Sequence, residues 1–342
     1  MNYRKSVFNI LLILICCFLN GCGDAIYSDL EEKKIFKNPS GFPSIVFPEG
    51  NEYSQSRWEL GKRLFYDSIL SVNNTISCSS CHKSENAFSD TVPFSKGDGN
   101  LFGRGNAPTL ANIGYNPYFT RAGGVPTLEM QILVPIQEHD EFNTNILDIV
   151  EKLKQDSSYT KLARKAYKRE LDPFVITRAI ANFERSFISG NSDYDKFHFQ
   201  NKKKLMSESQ QRGEILFESE RTSCTQCHSG FNFTNYAFEN NGLYLNYKDI
   251  GRKRLTKNEF DLAKFKVPTL RNIELTGPYM HDGSIKTLAD VINHYNSGGQ
   301  IHKNKSSFIK PLGLNEIEKQ DLEAFLKSLT DKKFVTNKIY KK

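Results

Sequence analysis

Three side chains in the first quarter of the chain have the types and spacing of a cofactor attachment site. Cys78 and Cys81 stand three positions apart, and His82 follows directly. One turn of helix lets both sulfurs reach the two vinyl groups of a porphyrin, and the next residue directs its imidazole at the iron. This spacing is the attachment signature of c-type haem. A redox dithiol and half of a zinc site are the alternative interpretations.

The same pattern occurs again at Cys224, Cys227 and His228. Its recurrence weakens the dithiol, zinc and chance interpretations, because each would have to apply twice. We therefore predict two covalently bound haem c groups, each with the histidine of its own motif on one side of the iron. The chemistry then depends on the opposite side, where a protein ligand favours electron transfer and an open position favours reaction with a small molecule.

In the first half, Gln131 and Glu141 follow a helix start at Thr127. A carboxylate above an open iron could take a proton from peroxide and return it to the leaving oxygen, while an amide could orient the peroxide. On residue type alone, both side chains are more often solvated on a helix surface.

In the second half, the corresponding helix carries His294 and Tyr295. Neighbouring residues on a helix point roughly 100° apart, so at most one of the two can bind iron. The chain after the leader has few methionines to offer as ligands, and Met280 is one of them. A packed aromatic or a capping partner is the alternative role for both residues.

The elements that position these residues are predicted to be helices, so the fold class is mainly α. Helical patterns cover residues 128–134, 146–153, 159–167 and 173–189, and no convincing strand pattern appears. Motifs also recur ahead of and behind each haem site, such as Pro-Thr-Leu-x-Asn-Ile at 108–113 and 268–273. We therefore predict two cytochrome c-like domains from an internal duplication. The predicted segments are a signal peptide at 1–21, a tether at 22–50, an N-terminal domain at 51–189, a linker at 190–204 and a C-terminal domain at 205–332.

The first residues have the pattern of a bacterial export signal. Two basic residues precede an apolar run over 7–19, which is too short to span a bilayer comfortably. Cys22 follows a small residue, as in a lipobox, where the cysteine is lipidated and becomes the mature N-terminus. Cleavage before an unmodified Cys22 is the alternative. We predict a periplasmic protein that is lipid-anchored to a membrane, with no cysteines left for a disulfide outside the haem sites.

The composition is that of a soluble globular protein, with 342 residues, 38% hydrophobic and 25% charged. The formal net charge of +7 is spread as isolated Lys and Arg. Without a polybasic tract, the charge pattern argues against nucleic acid as a partner. An acidic electron-donor protein is compatible with it.

Taken in order, these motifs resemble the bacterial di-haem cytochrome c peroxidase family, which includes the MauG-like enzymes. The resemblance rests on the two haem motifs, Asn106-Ala-Pro-Thr-Leu, Thr127-Leu-Glu-Met-Gln131, Phe-Lys-Val-Pro-Thr-Leu-Arg-Asn at 265–272 and Pro-Tyr-Met-His-Asp-Gly at 278–283. It implies reduction of hydrogen peroxide at the N-terminal haem. Electrons would enter at the C-terminal haem from a small donor, a cytochrome c or a cupredoxin. It also implies a calcium ion between two haem domains.

Carried over by position, the resemblance places Gln131 and Glu141 on the distal peroxidatic pair. It makes His82 and His228 the proximal ligands. Calcium would be held by the Asn106 side chain and the backbone carbonyls of Thr276 and Pro278, which are the oxygen ligands that calcium prefers. The sequence leaves the oligomeric state open, with a homodimer among the candidates.

Three positions depart from the family pattern. In many relatives a histidine in a loop caps the first haem. This chain has Asp98 near that position, so we expect its first haem to be open without prior reduction. Tyr295 stands at the family's methionine ligand and is typical of the MauG-like branch. Arg121 stands where the family has a tryptophan between the haems. The sole tryptophan of this chain, Trp58, lies elsewhere in the sequence. His139, near Glu141, is interpreted as a surface residue rather than a rival distal group.

The leading function is a peroxidase that removes peroxide in the cell envelope. A MauG-like enzyme that oxidises a partner protein or an organic substrate through high-valent iron is the second hypothesis, favoured by Tyr295 and weakened by the missing tryptophan. A di-haem electron carrier without chemistry of its own is the third.

Overall fold

The computed structural model describes residues 35–36 and 38–342. The predicted signal peptide, Cys22 and the first part of the predicted tether lie outside the described residues. Within the part that is described, no helix is long and apolar enough to cross a membrane.

The described chain is mainly helical, as predicted. Many of its helices begin at a side chain that accepts a hydrogen bond from the first turn, such as Ser54 before the first helix and Asp172 before Pro173. The α-helices are α1 (Gln55–Phe65), α2 (Cys78–Cys81), α3 (Leu128–Gln131), α4 (Leu133–Gln137), α5 (Ile146–Lys154), α6 (Ser157–Tyr167), α7 (Pro173–Glu184), α8 (Asp193–Phe199), α9 (Glu208–Glu218), α10 (Lys253–Thr256), α11 (Leu288–Ser297), α12 (Glu316–Ser328) and α13 (Lys332–Val335). Short 3-10 turns occupy Ser68–Leu70, Ser84–Asn86, Asp98–Asn100, Ile113–Tyr115, Cys224–Gln226, Glu259–Asp261, Ile273–Leu275 and Lys338–Tyr340.

The first half is built around the crossing of α1 and α7. A Cβ atom at Gly61 would lie 1.9 Å from the carbonyl oxygen of Ala179, so the two backbones meet where only glycine fits. Leu60, Leu64 and Phe65 of α1 are fully buried at this crossing. Together with α5 and α6, these helices enclose one apolar core.

The second half repeats this crossing with α9 and α12. A Cβ atom at Gly213 would lie 1.9 Å from the carbonyl oxygen of Asp321. Phe217, Leu322 and Phe325 are buried around it in a second, separate apolar core. The elements after each haem motif also match, because Asn112 and Asn272 both adopt left-handed backbone conformations (φ 61° and 60°) directly before a 3-10 turn.

Regular strands in the described residues are limited to β1 (Phe238–Glu239) and β2 (Phe265–Lys266), which pair antiparallel. Two residues per strand leave no alternating pattern that could be read from the sequence.

The stretch predicted as a linker is folded onto the second half. Helix α8 lies within residues 190–204, and its Tyr194 and Phe197 pack against the second core. Asp195 is buried and accepts two hydrogen bonds of 2.9 Å from the Arg271 guanidinium. A connection that buries an ion pair is therefore part of the C-terminal half rather than a free linker.

The two ends of the described chain pack across the molecule. Phe42, in the predicted tether, is buried, and its ring centroid lies 4.8 Å from that of Phe231 in the second half. Phe334 and Tyr340, both beyond the predicted C-terminal domain, are buried in the first core. These contacts are apolar and distant in sequence, which is why residue patterns did not indicate them.

Candidate functional site

The first haem motif opens onto a cavity of about 420 Å³. Cys78, Cys81 and His82 line it together with apolar side chains, including Leu70, Ile76, Ile113 and Phe119. Both thiols lie on the single turn of α2. Ser77, the residue before this helix, donates its backbone N–H to the Ser80 hydroxyl at 3.0 Å.

His82 is oriented for metal ligation through one ring nitrogen. Its Nδ1 donates to the Phe88 carbonyl oxygen at 2.8 Å, which leaves Nε2 as the free ligand atom. Burial lowers the pKa of His82, so the ring is held in the neutral form that binds a metal. Phe88 itself has a left-handed backbone (φ 59°), which is uncommon for a bulky residue.

The two thiols of this motif are buried in the neutral form. Burial raises the pKa of Cys81 to about 11 and that of Cys78 well above its usual range. Neither forms a disulfide. Paired thiols beside an apolar cavity with a free imidazole nitrogen fit a covalently attached haem.

Gln131 and Glu141, the predicted distal pair, both line this cavity. Gln131 Oε1 is buried without a hydrogen-bond partner among the described residues, as expected of a group that is left for a ligand. Burial, and then repulsion from Glu138 and Asp140, raises the pKa of Glu141 to about 7. A carboxyl that titrates near neutral pH can exchange a proton in either direction.

The loop that contains Gly97 and Asp98, where many relatives have a capping histidine, is hydrogen-bonded to the backbone of Glu141. The buried Asp98 carboxylate accepts from the Asn73 backbone N–H at 3.0 Å and from its side-chain amide at 2.7 Å, and Asp98 N–H donates to the Glu141 carbonyl at 2.8 Å. A Cβ at Gly97 would lie 2.2 Å from the Asp140 carbonyl oxygen, so the loop passes as close as glycine allows. Asp98 is absent from the residues that line the cavity.

His139 and Trp58 lie where the sequence interpretation expected them. His139 is exposed, and its Nδ1 pairs with Asn143 Oδ1 at 2.9 Å. Trp58 is buried in the first core, where its Nε1–H donates to the Ser186 hydroxyl at 2.9 Å.

Glu184 is a cavity residue that sequence reasoning missed. It is 5% exposed, lines the cavity at the end of α7, and makes no hydrogen bond through its carboxyl group with any described residue. Burial raises its pKa to about 8, with Arg185 opposing the rise and Glu129 adding to it. The sequence does contain one indication of this burial. Glu184 follows Ile176 and Ile180 at intervals of four residues, so it lies on the same buried face of α7.

The second haem motif repeats the arrangement of the first. His228 Nδ1 donates to the Phe233 carbonyl at 3.0 Å, burial lowers its pKa, and Phe233 also has a left-handed backbone (φ 50°). Cys224 and Cys227 are free thiols. The same set of groups therefore fits a second covalent haem.

Tyr295 is buried near the thiols of this second motif. Burial raises the pKa of Tyr295 to about 12, a hydrogen bond from Asn241 opposes that rise, and the neighbouring Cys224 and Cys227 add to it. His294 Nε2 instead pairs with the backbone oxygen of Asn241 at 3.0 Å.

Met280 remains close to the same group of residues. The Asn241 amide also donates to its sulfur, at 3.2 Å. Asn241, which the sequence did not single out, therefore contacts each of the three candidate ligands of the second haem.

The predicted calcium ligands line one cavity, but the only side-chain oxygen among them, Asn106 Oδ1, already accepts a hydrogen bond from Arg121. Asn106, Thr276 and Pro278 all line the cavity, as does Arg121. The Arg121 guanidinium donates to both the backbone oxygen and Oδ1 of Asn106. The guanidinium thus contacts one of the three predicted calcium ligands, Asn106 Oδ1, and its positive charge opposes a divalent cation at that oxygen.

A helical protein with two Cys-x-x-Cys-His sites, one of which faces a cavity with a free amide and a titrating carboxyl, is a di-haem c-type oxidoreductase. A family model described as di-haem cytochrome c peroxidase matches residues 55–204. Methylamine utilization protein MauG from Methylorubrum extorquens is 32% identical over 311 residues, which cover 90% of this chain and 86% of that protein.

Other relatives agree. Cytochrome c551 peroxidase from Nitrosomonas europaea is 34% identical over 278 residues, with 80% and 79% of the two chains covered. The crystal structure of a MauG-like protein associated with microbial copper homeostasis has a TM-score of 0.85 and 33% identity over 89% of this chain and 98% of that one. The chain belongs to the di-haem cytochrome c peroxidase family, and the resemblance inferred from its motifs is confirmed.

Proposed function

We propose that this protein reduces hydrogen peroxide to water at its N-terminal haem, with electrons that a small redox protein delivers to its C-terminal haem. The observation that carries the proposal is the convergence of Gln131 and Glu141 on the cavity of the first haem motif. The balance is one peroxide, two electrons and two protons consumed for two water molecules formed. Family relatives named cytochrome c peroxidase support the same reaction.

The haem, when bound, supplies an iron with an open position and a route for electrons. The chain supplies orientation and proton transfer. The free Oε1 of Gln131 accepts a hydrogen bond from a peroxide hydroxyl and thereby orients the molecule. The Glu141 carboxylate takes a proton from one peroxide oxygen and returns it to the oxygen that leaves as water.

Steady-state peroxide consumption by the di-haem protein, with a reduced cytochrome as the donor, tests the proposal. Glu141→Gln should lower kcat/KM by at least about 100-fold, the usual contribution of a positioned acid–base group. Glu151→Gln, which changes an exposed carboxylate of α5, is the matched control and should have no effect. A wild-type protein that transfers electrons without consuming peroxide would be an electron carrier, and equal activity in Glu141→Gln would remove that residue from the mechanism.

The first haem is proposed to be open in the resting, oxidised protein. Its support is that Asp98 is engaged by Asn73 and does not reach the cavity. An EPR spectrum of the oxidised protein with only low-spin, bis-ligated haem would contradict this.

A MauG-like oxidation of a partner protein or organic substrate is the second candidate. The observation that favours it is the position of Tyr295 at the second haem motif, where we propose it as the axial ligand. Tyr295→Phe should then change the spectrum of one haem only, and an unchanged spectrum would point to His294 or Met280. A two-electron-oxidised protein that persists after peroxide without a reductant would favour this function over the first.

Further parts of the proposal concern origin and location. Duplication of one haem domain is supported by the matched glycine crossings at Gly61 and Gly213 and by the matched Phe88 and Phe233 conformations.

The proposed location is the periplasm, with a lipid anchor at Cys22, and it rests on the leader pattern. A donor of the cytochrome c or cupredoxin class completes the proposal. Mass spectrometry of the mature N-terminus would test the anchor directly.

A further inference from the structure

Arg121 lies in a loop of the first half, between the 3-10 turn Ile113–Tyr115 and α3, and it contacts Asn106. Its Nε donates to the Asn106 backbone oxygen at 3.2 Å, and one terminal nitrogen donates to that oxygen and, at 3.3 Å, to Oδ1 of the side chain. The Asn106 amide nitrogen donates in turn to the Val92 carbonyl at 3.1 Å, which keeps Oδ1 facing Arg121. Asn106 is 6% exposed, so this arrangement is enclosed by protein.

Two basic residues of the second half, Lys266 and Arg252, donate hydrogen bonds to the same loop. Lys266 Nζ donates to the Tyr118 carbonyl at 3.1 Å, Lys266 N–H donates to the Arg121 carbonyl at 2.7 Å, and the Arg252 guanidinium donates to the Ala122 carbonyl at 3.1 Å. Asn106 N–H also donates across the boundary, to the His281 carbonyl at 3.1 Å. Backbone oxygens at the junction are thus met by positive side chains of the chain itself.

The electrostatics at this junction disfavour a further cation. Asp249 and Asp282 are the carboxylates that act on Arg121, and within the described residues no carboxylate lies within 4 Å of its guanidinium. Burial, and then the charge of Arg121, lower the pKa of Lys266 to about 8, so the two cations repel each other across the junction.

We propose that the Arg121 guanidinium takes the place of the calcium ion that the family pattern puts between the two haem domains. It binds the Asn106 side-chain oxygen that the ion would need, and so fastens Asn106 to the loop of the first half that Lys266 and Arg252 of the second half contact. The junction of the two halves is therefore independent of calcium. This inference does not depend on the reaction that the haems carry out.

Calorimetric titration of the chelator-treated di-haem protein with calcium chloride tests the proposal. The wild type should show no binding tighter than about millimolar, the weakest range of protein calcium sites. Its urea midpoint should be the same in excess EDTA and in excess calcium chloride. Micromolar binding, or a midpoint that falls when calcium is removed, would overturn the proposal whatever the variants do.

Variants then test the role of the side chain. Arg121→Gln removes the charge, should lower the urea midpoint in EDTA, and should recover part of the loss when calcium chloride is added. Arg121→Lys keeps a cation beside Asn106 and should remain insensitive to calcium. Arg164→Gln, which breaks an exposed ion pair with Glu170, is the matched control and should behave as the wild type. If Arg121→Gln folds with an unchanged midpoint in EDTA, Arg121 does not hold the junction, and the proposal fails.

Discussion

The Glu141 carboxyl is placed so that its proton affinity matches neutral pH. Burial supplies the larger part of that shift, and two neighbouring acids, Glu138 and Asp140, supply the rest. Its backbone carbonyl is held by Asp98, so the side chain is presented to the cavity by a fixed loop. Position and titration therefore both follow from the segment around it.

The pH dependence of peroxide reduction should report this carboxyl. The base form is needed to accept a proton from peroxide, so kcat/KM should rise with pH up to about 7 and level off above it. In Glu141→Gln, the residual kcat/KM should not show this rise with pH. A pH–rate profile of the wild type that is flat between pH 5 and 8 would contradict the assignment.

Glu184 should make the folded protein less stable as pH rises. Its pKa of about 8 in the folded state exceeds its ordinary value of 4.5, so the folded state holds the proton more strongly. The resulting stabilisation is complete below pH 4.5 and is lost as pH approaches 8. Glu184→Gln should therefore unfold at a higher urea concentration than the wild type at pH 8.5, by a few kcal/mol in free energy of unfolding. At pH 5 the two proteins should be similar.

Glu49→Gln changes a carboxylate in solvent and is the control for this measurement. If the difference between Glu184→Gln and the wild type did not grow with pH, Glu184 would have a partner or would be solvated in the haem-bound protein.

At the scale of helices, each half depends on one close crossing. Gly61 and Gly213 let α1 meet α7 and α9 meet α12 with almost no separation between backbones. Any side chain there would push the helices apart and open the core that supports the haem motif.

Gly61→Ala should accordingly destabilise the first half, and Gly213→Ala the second. The added methyl group would overlap a carbonyl oxygen of the partner helix, and overpacking of this kind costs about 1–3 kcal/mol or more. Chemical unfolding followed at each haem would separate the two effects. Glu59→Ala, on the exposed side of α1, is the control. An unchanged midpoint in both glycine variants would mean that the crossings relax easily.

The sequence predicted much at this scale and less beyond it. Periodicity located α5, α6 and α7, and the haem motifs located both metal sites, because both signals are local in sequence. The enclosed contact of Arg121 with Asn106 and the burial of Glu184 depend on residues far apart in the chain. The tether and linker predictions missed Phe42 and α8 for the same reason, since a short apolar or charged stretch gives no sign of what it will pack against.

At the scale of the whole molecule, the C-terminal segment supports the opposite half. Phe334 and Tyr340 pack against Phe88, with ring centroids 5.7 and 6.0 Å away. Phe88 also stacks on Phe187 at 3.8 Å and holds His82 through its carbonyl oxygen. His82, the proposed proximal ligand of the first haem, is therefore supported by residues near position 340.

Removal of residues 332–342 should destabilise the first half more than the second. Two buried aromatic side chains would be lost, each worth about 3–5 kcal/mol in comparable truncations. The absorption spectrum of the N-terminal haem should change, because Phe88 would be free to shift the hydrogen bond to His82. Removal of only 341–342 should change neither property. A truncated protein with a normal N-terminal haem would show that Phe187 alone is a sufficient brace.

This packing gives the order in which the chain emerges a consequence for folding. In the exported protein that the leader pattern predicts, the N-terminal half crosses the membrane first, yet the contacts around Phe88 stay incomplete until Tyr340 has followed. The half that carries the proposed peroxide site is therefore the earlier to emerge and the later to mature. During that interval its apolar core has an open side, and chaperones or early haem attachment would have the most effect on yield there.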